Sequence, residues 1–407
     1  MDPLSRRKVL LAGGTMGALG ALSMAAPAHA KSLWSWSPSG SVAGRGAGTD
    51  PQWVWDEEAD PVLAAVLDRG EVSKVNELLR AWTRNDQPLP DGLPRDLREF
   101  IEHARRLPSW ADREKLDTGA KFSKTKGIYT GTLYGLGSGL MSTAIPREAR
   151  AVYYSKGGAD MKDRIAKTAK LGYDVGDLDA YRPEGSMVVT AVKTRLVHAA
   201  VRHLLPKSPG WNEHNGGQKI PISQADILVT WHSLPTFVMR KLLEWRVRVS
   251  PADSAAYLHV WQVTAHMLGV KDEYIAGSWE AAEAQSKQLL DPAMGPTPEG
   301  KELTEVLLDI VAELDGGLTR PLVSAFSRYT LGDKVGDWIG LSEEPFWEPL
   351  ISRTWPLLVA FREGLIPLPL VPEAAWTVEE AIRKFVLLFL GEAKPIAIEI
   401  PDMNRPS

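Results

Sequence analysis

The segment MVVTAVKTRLVHAAVRHLL, residues 187–205, carries the strongest fold signal in the chain. Valine, alanine and leucine make up most of it, and their spacing predicts a helix that contacts the protein interior. On this helix His198 shares a face with Arg195 and Arg202. One imidazole and two guanidinium groups therefore emerge from an otherwise apolar helix.

The rest of the chain is also helical in pattern. Asp60 and Pro61 suit the start of a helix that Gly70 ends, and Asp96 suits the start of one that ends before Pro108. Alternating strand patterns are nearly absent, and only Pro395–Pro401 resembles a short strand. We therefore expect an all-α fold with a single helical domain over residues 61–407. Further helices are predicted near 75–82, 113–122, 127–142, 157–172, 186–205, 222–247, 252–269, 278–290, 299–314, 318–329, 345–363 and 376–391.

Residues 31–60 precede this domain and have a different composition. They are rich in serine, glycine and tryptophan and show no helical periodicity. We expect an irregular tail that lies on the body of the protein, anchored by Trp34, Trp36, Trp53 and Trp55.

The first thirty residues have the pattern of an export signal. Arg6 and Arg7 precede a weakly apolar run, and Ala28–Ala30 forms a small-x-small cleavage site. This is a twin-arginine signal, and the route it addresses carries folded proteins, frequently with a cofactor already bound. Its removal takes away three basic residues and one acidic residue and leaves a formal charge of −6. We expect a secreted, extracellular protein with no membrane span after cleavage.

Composition excludes several kinds of chemistry. The 407 residues are 44% hydrophobic and 24% charged, which is typical of a globular protein, and the net charge of −4 favours neither nucleic acid nor an anionic membrane. The chain has no cysteine, which excludes disulfides, iron–sulfur clusters, thiolate zinc sites and covalently attached haem. Hydrolase and nucleotide-binding motifs are absent as well.

The helix around His198 suggests a cofactor. Burial of Arg195 and Arg202 requires anions, and a haem would supply them: the imidazole would bind the iron and the arginines would reach the propionates. From this helix alone, a hydrogen-bonded core histidine with arginines that extend to solvent is the preferred interpretation, and the haem is the alternative. Other histidines could compete as ligands: His203, His259 and His266, and less strongly His214 and His232.

A second group of candidates lies upstream. Arg164, Lys167 and Thr168 have the spacing of one helix side, for which a solvated face is the ordinary explanation. Glu148 follows Pro146 at a predicted helix start, where a carboxylate is favoured by the helix dipole and capping is the ordinary explanation.

Four glycines, at positions 127, 131, 135 and 139, recur at four-residue intervals. On a helix they form a groove without side chains. Close contact between two helices is the preferred interpretation, and the lining of a flat cofactor is the alternative.

In combination these residues resemble a known family. Glu148, the Arg164-x-x-Lys167-Thr168 cluster and the Arg195-x-x-His198-x-x-x-Arg202-His203 helix, behind a twin-arginine signal, resemble the latex clearing proteins of the Streptomyces type, which are rubber oxygenases. The resemblance implies a globin-like helical core with additional N- and C-terminal helices and one non-covalent haem b. It also implies O2-dependent endo cleavage of cis-1,4-polyisoprene to oligo-isoprenoids with aldehyde and ketone ends. A haem-binding oxygen sensor or carrier without turnover is the alternative, and a monomer is expected because no long heptad pattern occurs.

The resemblance also implies roles for individual residues. His198 would be the proximal iron ligand, and Lys167 would occupy the distal position in a closed resting state, as a neutral amine. Glu148 would be the catalytic base. The remaining residues would shape the pocket, with Arg164 and Thr168 on the distal side, Thr230 by the access channel, and Arg195, Arg202 and Arg328 around the haem or its propionates.

Overall fold

The chain divides into two compact units, Met1–Ser35 and Trp36–Ser407, and every element named below belongs to the second. The twin-arginine segment and the helix predicted at 376–391 lie outside the residues that the structure describes. The computed structural model describes residues 34–156, 160–313, 317, 319–364 and 396–405.

The described part of the second unit is built from helices, which confirms the all-α prediction. No strand occurs within these ranges, where only two isolated bridges are found, Ser41–Ala276 and Ser155–Asn404. No helix there is both long and apolar enough to cross a bilayer. The α-helices are α1 (Ala59–Asp68), α2 (Val72–Arg80), α3 (Arg95–Ala104), α4 (Arg113–Thr125), α5 (Gly127–Thr132), α6 (Pro146–Tyr154), α7 (Met161–Asp174), α8 (Met187–Leu204), α9 (Pro209–His214), α10 (Gln224–Trp231), α11 (Phe237–Glu244), α12 (Pro251–Met267), α13 (Trp279–Ala293), α14 (Pro298–Ala312), α15 (Arg320–Leu331), α16 (Asp333–Ile339) and α17 (Trp347–Arg362).

Helix α8 is the central element, as the segment at 187–205 predicts. It packs against α1, α7 and α12. Its apolar side chains are buried, and Met187, Val192 and Leu196 have no exposed surface. Each Å² of apolar surface that this helix removes from water contributes about 25 cal/mol, so its packing is a principal source of stability.

Hydroxyl side chains set the starts of several helices. Ser250 accepts a hydrogen bond from the amide of Asp253 at the start of α12, and Thr297 accepts one from Gly300 at the start of α14. A proline follows each cap, where its missing N–H has no cost. Both starts lie within one or two residues of the predicted ones.

Two predicted helices are interrupted by wide turns. The stretch predicted at 127–142 contains α5, a π-helical segment at Leu133–Gly139 and a 3-10 turn at Ser142–Ala144. The stretch at 222–247 contains a π-helical segment at His232–Thr236, which includes Pro235. Proline has no N–H for the helical ladder, so the wider turn accommodates it. Helices α9 and α16 were not predicted.

The segment before α1 is irregular apart from 3-10 turns at Pro38–Gly40 and Pro51–Trp53. Trp36 is buried and donates its indole N–H to the carbonyl of Glu273 at 2.9 Å. Trp53 is 64% exposed, so the prediction that it anchors the tail is wrong.

The strand predicted at Pro395–Pro401 does not form in its described part, from residue 396 onward. The Asn76 side chain pairs with the backbone there instead. Its Nδ2 donates to the carbonyl of Ile400, and the Ile400 amide donates to its Oδ1, both at 2.9 Å. An amide side chain therefore satisfies the extended backbone that a neighbouring strand would otherwise pair with.

Candidate functional site

A cavity of about 1500 Å³ lies among α5, α6, α7, α8, α10 and α14, and its wall is mostly apolar. Elements that are far apart in sequence therefore bring most of the candidate side chains to one place. Six of the predicted site residues line it: Glu148, Arg164, Lys167, Thr168, His198 and Thr230.

One face of α8 forms part of the wall. Thr194, Val197, His198 and Val201 line the cavity, and each keeps some exposed surface, whereas most of their helix neighbours are buried. Their spacing of three and four residues is that of a single helix face. The Nδ1 atom of His198 is buried and has no hydrogen-bond partner among the described residues.

The environment of His198 keeps its imidazole neutral. The pKa of His198 is lowered to about 3, mainly by burial and also by the charges of Arg202 and Arg164, while the charge of Asp56 opposes the shift. A neutral imidazole offers a nitrogen lone pair, which is the state that binds a metal ion.

Two competing histidines on α12 have partners outside the cavity. His259 accepts a hydrogen bond from the amide of Asp112 through Nε2 at 2.8 Å. His266 pairs with Asp272 through Nδ1 at 2.7 Å. Neither lines the cavity, so the structure favours His198 over both as its histidine.

The other three candidate histidines also lie elsewhere. His232 is fully buried, and its Nε2 is 2.9 Å from the Oε1 atom of Gln285. His203 lies 3.0 Å from Asp68, and His214 is exposed. None of the three lines the cavity.

Glu148 lies in the first turn of α6 and projects into the cavity wall. The hydroxyl of Thr230 on α10 donates to its Oε1 at 2.6 Å. Burial raises the pKa of Glu148 to about 7; Thr230 and Arg164 oppose this shift, and the charge of Asp226 adds to it. The carboxylate is therefore poised to take up or release a proton near neutral pH.

Arg164 supplies a positive charge to the cavity. Among the described residues its guanidinium has no hydrogen-bond acceptor, and it interacts electrostatically with both Glu148 and His198. Burial lowers the pKa of Arg164, and the nearby Glu148 charge opposes this shift.

Lys167 lines the cavity, but its amine has a partner of its own. Nζ lies 2.6 Å from Oδ2 of Asp163, one turn earlier on α7, and the side chain is 26% exposed. The amine therefore has a carboxylate partner on its own helix, and the distal position of Lys167 stays a prediction. The hydroxyl of Thr168 donates to the carbonyl of Arg164 at 3.1 Å, so its hydrogen bond lies within α7.

Arg195 and Arg202 point away from the cavity wall, which corrects their predicted role. Arg195 donates to both oxygens of Asp56, at 2.6 and 2.8 Å, and to Glu58 at 2.8 Å. Arg202 donates to Asp60 at 2.8 Å. The anions that these buried arginines require therefore come from the segment before α1 and from its first turn, and a cofactor is not needed to explain them.

Arg328 is likewise engaged by the chain itself. It is 3% exposed and donates to Oδ1 of Asp337 at 2.8 Å and to the carbonyl of Leu341 at 3.1 Å. It does not line the cavity, so its prediction as a haem-pocket residue is corrected in the same way.

The four-residue glycine pattern borders the cavity. All four glycines line it, and a Cβ atom added at Gly131 or Gly135 would meet nothing within 4 Å. The preferred interpretation, close helix contact, is therefore wrong at these two positions. Such contact occurs instead at Gly119 of α4, where an added Cβ would lie 2.6 Å from Cγ2 of Val260 on α12.

An ion pair that the sequence did not predict lies beside Glu148. Arg147 donates to Asp226 through Nε at 2.6 Å and through Nη2 at 3.1 Å. Asp226 also closes a capping box with Ser223 at the start of α10. The Ser-x-x-Asp spacing could have located this cap, but no local pattern indicates its arginine partner.

Comparison with known proteins identifies the family. Residues 128–362 match the family described as ER-bound oxygenase mpaB/B′/rubber oxygenase, catalytic domain. A rubber oxygenase from Streptomyces sp. (strain K30) is 74% identical over 407 residues, the full length of both chains. The chain belongs to the rubber oxygenase family. All six of the cavity residues named above lie within the matched span of this family member.

A solved structure shows the same fold. The structure of latex clearing protein in the closed state superposes with a TM-score of 0.84 and is 76% identical. The match covers 91% of this rubber oxygenase family member and 100% of the solved chain. The helical architecture described above is therefore that of a latex clearing protein.

Proposed function

We propose that the protein is a haem-dependent dioxygenase that cleaves the double bonds of cis-1,4-polyisoprene in endo fashion. Its products would be oligo-isoprenoids with one aldehyde and one ketone end. The observation that carries the proposal is the cavity itself, in which a neutral imidazole and a buried carboxyl with a pKa of about 7 share a mostly apolar wall.

The donor set fits a haem better than a bare metal ion. Within the described ranges, no three histidine, aspartate or glutamate side chains come together as a metal site. A metal held by protein side chains alone therefore lacks donors, whereas a macrocycle brings four nitrogens and needs only one imidazole. His198 would hold it through Nε2, because Nδ1 is enclosed by protein. Gly131 and Gly135 would leave room for a flat ring.

The size and chemistry of the cavity suit a hydrocarbon polymer. Ligand sites usually enclose about 300–1,000 Å³, and this cavity of about 1500 Å³ exceeds that range. Polyisoprene offers no group for a hydrogen bond, so its binding depends on apolar burial at about 25 cal/mol per Å². Side chains such as Ile128, Leu136 and Leu307 provide this surface.

Glu148 is proposed to act as the catalytic base. A bound haem would supply the redox chemistry of dioxygen. The Thr230 hydroxyl occupies Oε1 of Glu148, so the other carboxylate oxygen would accept an allylic proton from the substrate. The charge of Arg164 would then limit the cost of an ionised carboxylate in this buried place.

The site of action is proposed from the twin-arginine signal. An insoluble polymer must be cut outside the cell, and a signal at Arg6 and Arg7 addresses the export of a folded protein. The secreted protein would act as a monomer.

Oxygen consumption on polyisoprene latex tests the proposal. We expect O2 uptake together with oligomers that carry carbonyl ends. Glu148→Gln should keep the haem spectrum and lower turnover by roughly 100-fold or more, the usual contribution of a general base. The matched control is Glu302→Gln on the exposed side of α14. Reversible O2 binding without net O2 consumption on polyisoprene would contradict the proposal and indicate an oxygen carrier or sensor.

A further inference from the structure

Two contacts join α6 to α10 side by side. Arg147 and Glu148 are consecutive residues of α6, and Asp226 and Thr230 lie one turn apart on α10. Arg147 donates twice to the Asp226 carboxylate, at 2.6 and 3.1 Å, while Thr230 donates to Glu148 at 2.6 Å. The ion pair and the hydrogen bond to Glu148 therefore connect the same two helices within one turn of each other.

Asp226 is held firmly in this arrangement. Its Oδ2 also accepts hydrogen bonds from the amide of Ser223 and from Nε2 of Gln218, both at 2.8 Å. Its backbone carbonyl lies 3.2 Å from the hydroxyl of Thr230. Asp226 thus touches the residue that contacts Glu148 and cannot turn without breaking its other bonds.

The ion pair also determines the charge beside Glu148. The Asp226 carboxylate raises the pKa of Glu148, and Arg147 is the cation that neutralises this carboxylate. Among the described residues, Arg164 from α7 is the other charged group that acts on Glu148, and it lowers the pKa of Glu148. Loss of either partner would leave a different net charge next to the same carboxyl.

We propose that Arg147 and Asp226 are positioning residues for Glu148: their ion pair holds the Thr230 hydroxyl on the Glu148 carboxylate and sets the charge beside it. The inference rests on the proposed function only where it treats Glu148 as the base. The arrangement itself is a property of α6 and α10.

Substitution of Asp226 and substitution of Arg147 are expected to shift the pH profile of polyisoprene cleavage in opposite directions, which makes the test specific. Asp226→Asn removes a negative charge near Glu148, so the acid limb of the pH profile of polyisoprene cleavage should move to lower pH. Arg147→Gln leaves Asp226 without its cation, so the limb should move to higher pH. Each shift should be on the order of 0.5–1 pH unit at the effective dielectric of a protein interior. A merely structural role would slow both variants without opposite shifts.

Arg150→Gln is the matched control, because Arg150 lies on the same helix and faces Glu299 at 3.8 Å. Arg150→Gln should leave the acid limb of the pH profile unshifted. Shifts of Asp226→Asn and Arg147→Gln in the same direction, or no shift relative to this control, would overturn the proposal. If Asp226→Asn does not fold, an upward shift in Arg147→Gln alone supports it and no shift overturns it.

A second measurement separates this inference from the proposed function. The carboxyl stretch of Glu148, assigned by its loss in Glu148→Gln, can be titrated by difference infrared spectroscopy without substrate. The same opposite shifts are expected there. If they occur in a protein that does not cleave polyisoprene, the positioning role stands and the proposed function fails.

Discussion

At the scale of single residues, Glu148 shows how a buried site holds a carboxyl near its titration point. Burial raises its pKa to about 7, and the Thr230 hydroxyl opposes the shift because its hydrogen bond favours the charged form. As the proposed base, Glu148 must be deprotonated, so polyisoprene cleavage is expected to rise as pH increases through about 7. The acid side of the pH profile therefore reports this single group.

Thr230→Val removes the hydrogen bond that favours the carboxylate. The pKa of Glu148 should then rise above about 7, so turnover of polyisoprene at pH 7 should fall and recover at higher pH. Thr130→Val is the matched control, because Thr130 lines the same cavity and its hydroxyl contacts only backbone carbonyls. A pH profile that moves to lower pH, or equally in both variants, would contradict this account of Glu148.

The arginines show the limit of reasoning from a local pattern. The burial of Arg195 and Arg202 follows from their place on an apolar helix, and the structure confirms it. Their partners Asp56, Glu58 and Asp60 lie more than a hundred positions away in sequence. The spacing of residues on one helix cannot identify partners at that distance. The need for anions was therefore predictable, but their source was not.

At the scale of helices, most of the fold was predictable because apolar spacing and caps are local properties. The core helix α8 and the Ser-Pro and Thr-Pro starts of α12 and α14 follow from them. The wide turns at Leu133–Gly139 and His232–Thr236 do not, since a constant period of 3.6 residues was assumed. Short helices such as α16 lack enough turns to show a period.

The grouping of the candidate residues in one cavity was not predictable from local sequence patterns. The predicted face of α8 correctly contained His198, but it could not show that α6, α7 and α10 bring Glu148, Arg164 and Thr230 to the same cavity. That grouping was suggested by family resemblance, and all four side chains line the same cavity.

Glycines of two kinds give opposite predictions for stability. Gly119→Ala on α4 would place a Cβ 2.6 Å from Val260 and 2.7 Å from the carbonyl of Ala256, so we expect a loss of about 1–3 kcal/mol in the free energy of unfolding. Gly131→Ala meets nothing within 4 Å and should be neutral or gain up to about 1 kcal/mol from helix propensity. Urea denaturation of both variants measures the difference. Equal losses would show that the glycine pattern at the cavity packs against another helix after all.

At the scale of the whole molecule, neutral histidines in the interior couple folding to pH. Burial lowers the pKa of His232 from 6.5 to about 3, while Gln285 opposes the shift by its hydrogen bond. Below pH 6.5, His232 therefore binds a proton in the unfolded chain but stays neutral in the folded chain until the pH approaches 3. The stability present above pH 6.5 is lost progressively as pH falls towards 3.

His232→Gln should reduce this acid sensitivity. Between pH 7 and pH 5, His232 lowers the free energy of unfolding of the parent protein by roughly 2 kcal/mol. The loss of stability over this pH range should be smaller in His232→Gln by about that amount. Urea denaturation at both pH values measures it, with the exposed His214→Gln as control. The same loss in His232→Gln as in the parent would mean that another group causes the acid sensitivity.

In the cavity as a whole, we propose that the neutral imidazole of His198 holds the haem on which the proposed chemistry depends, within a largely apolar space. The most direct measurement is the Soret absorbance of purified His198→Ala beside His259→Ala, both produced with ample haem. We expect His198→Ala to be colourless or nearly so and His259→Ala to keep the parental absorbance. Full haem occupancy in His198→Ala would contradict the proposal and assign the ligand to another residue.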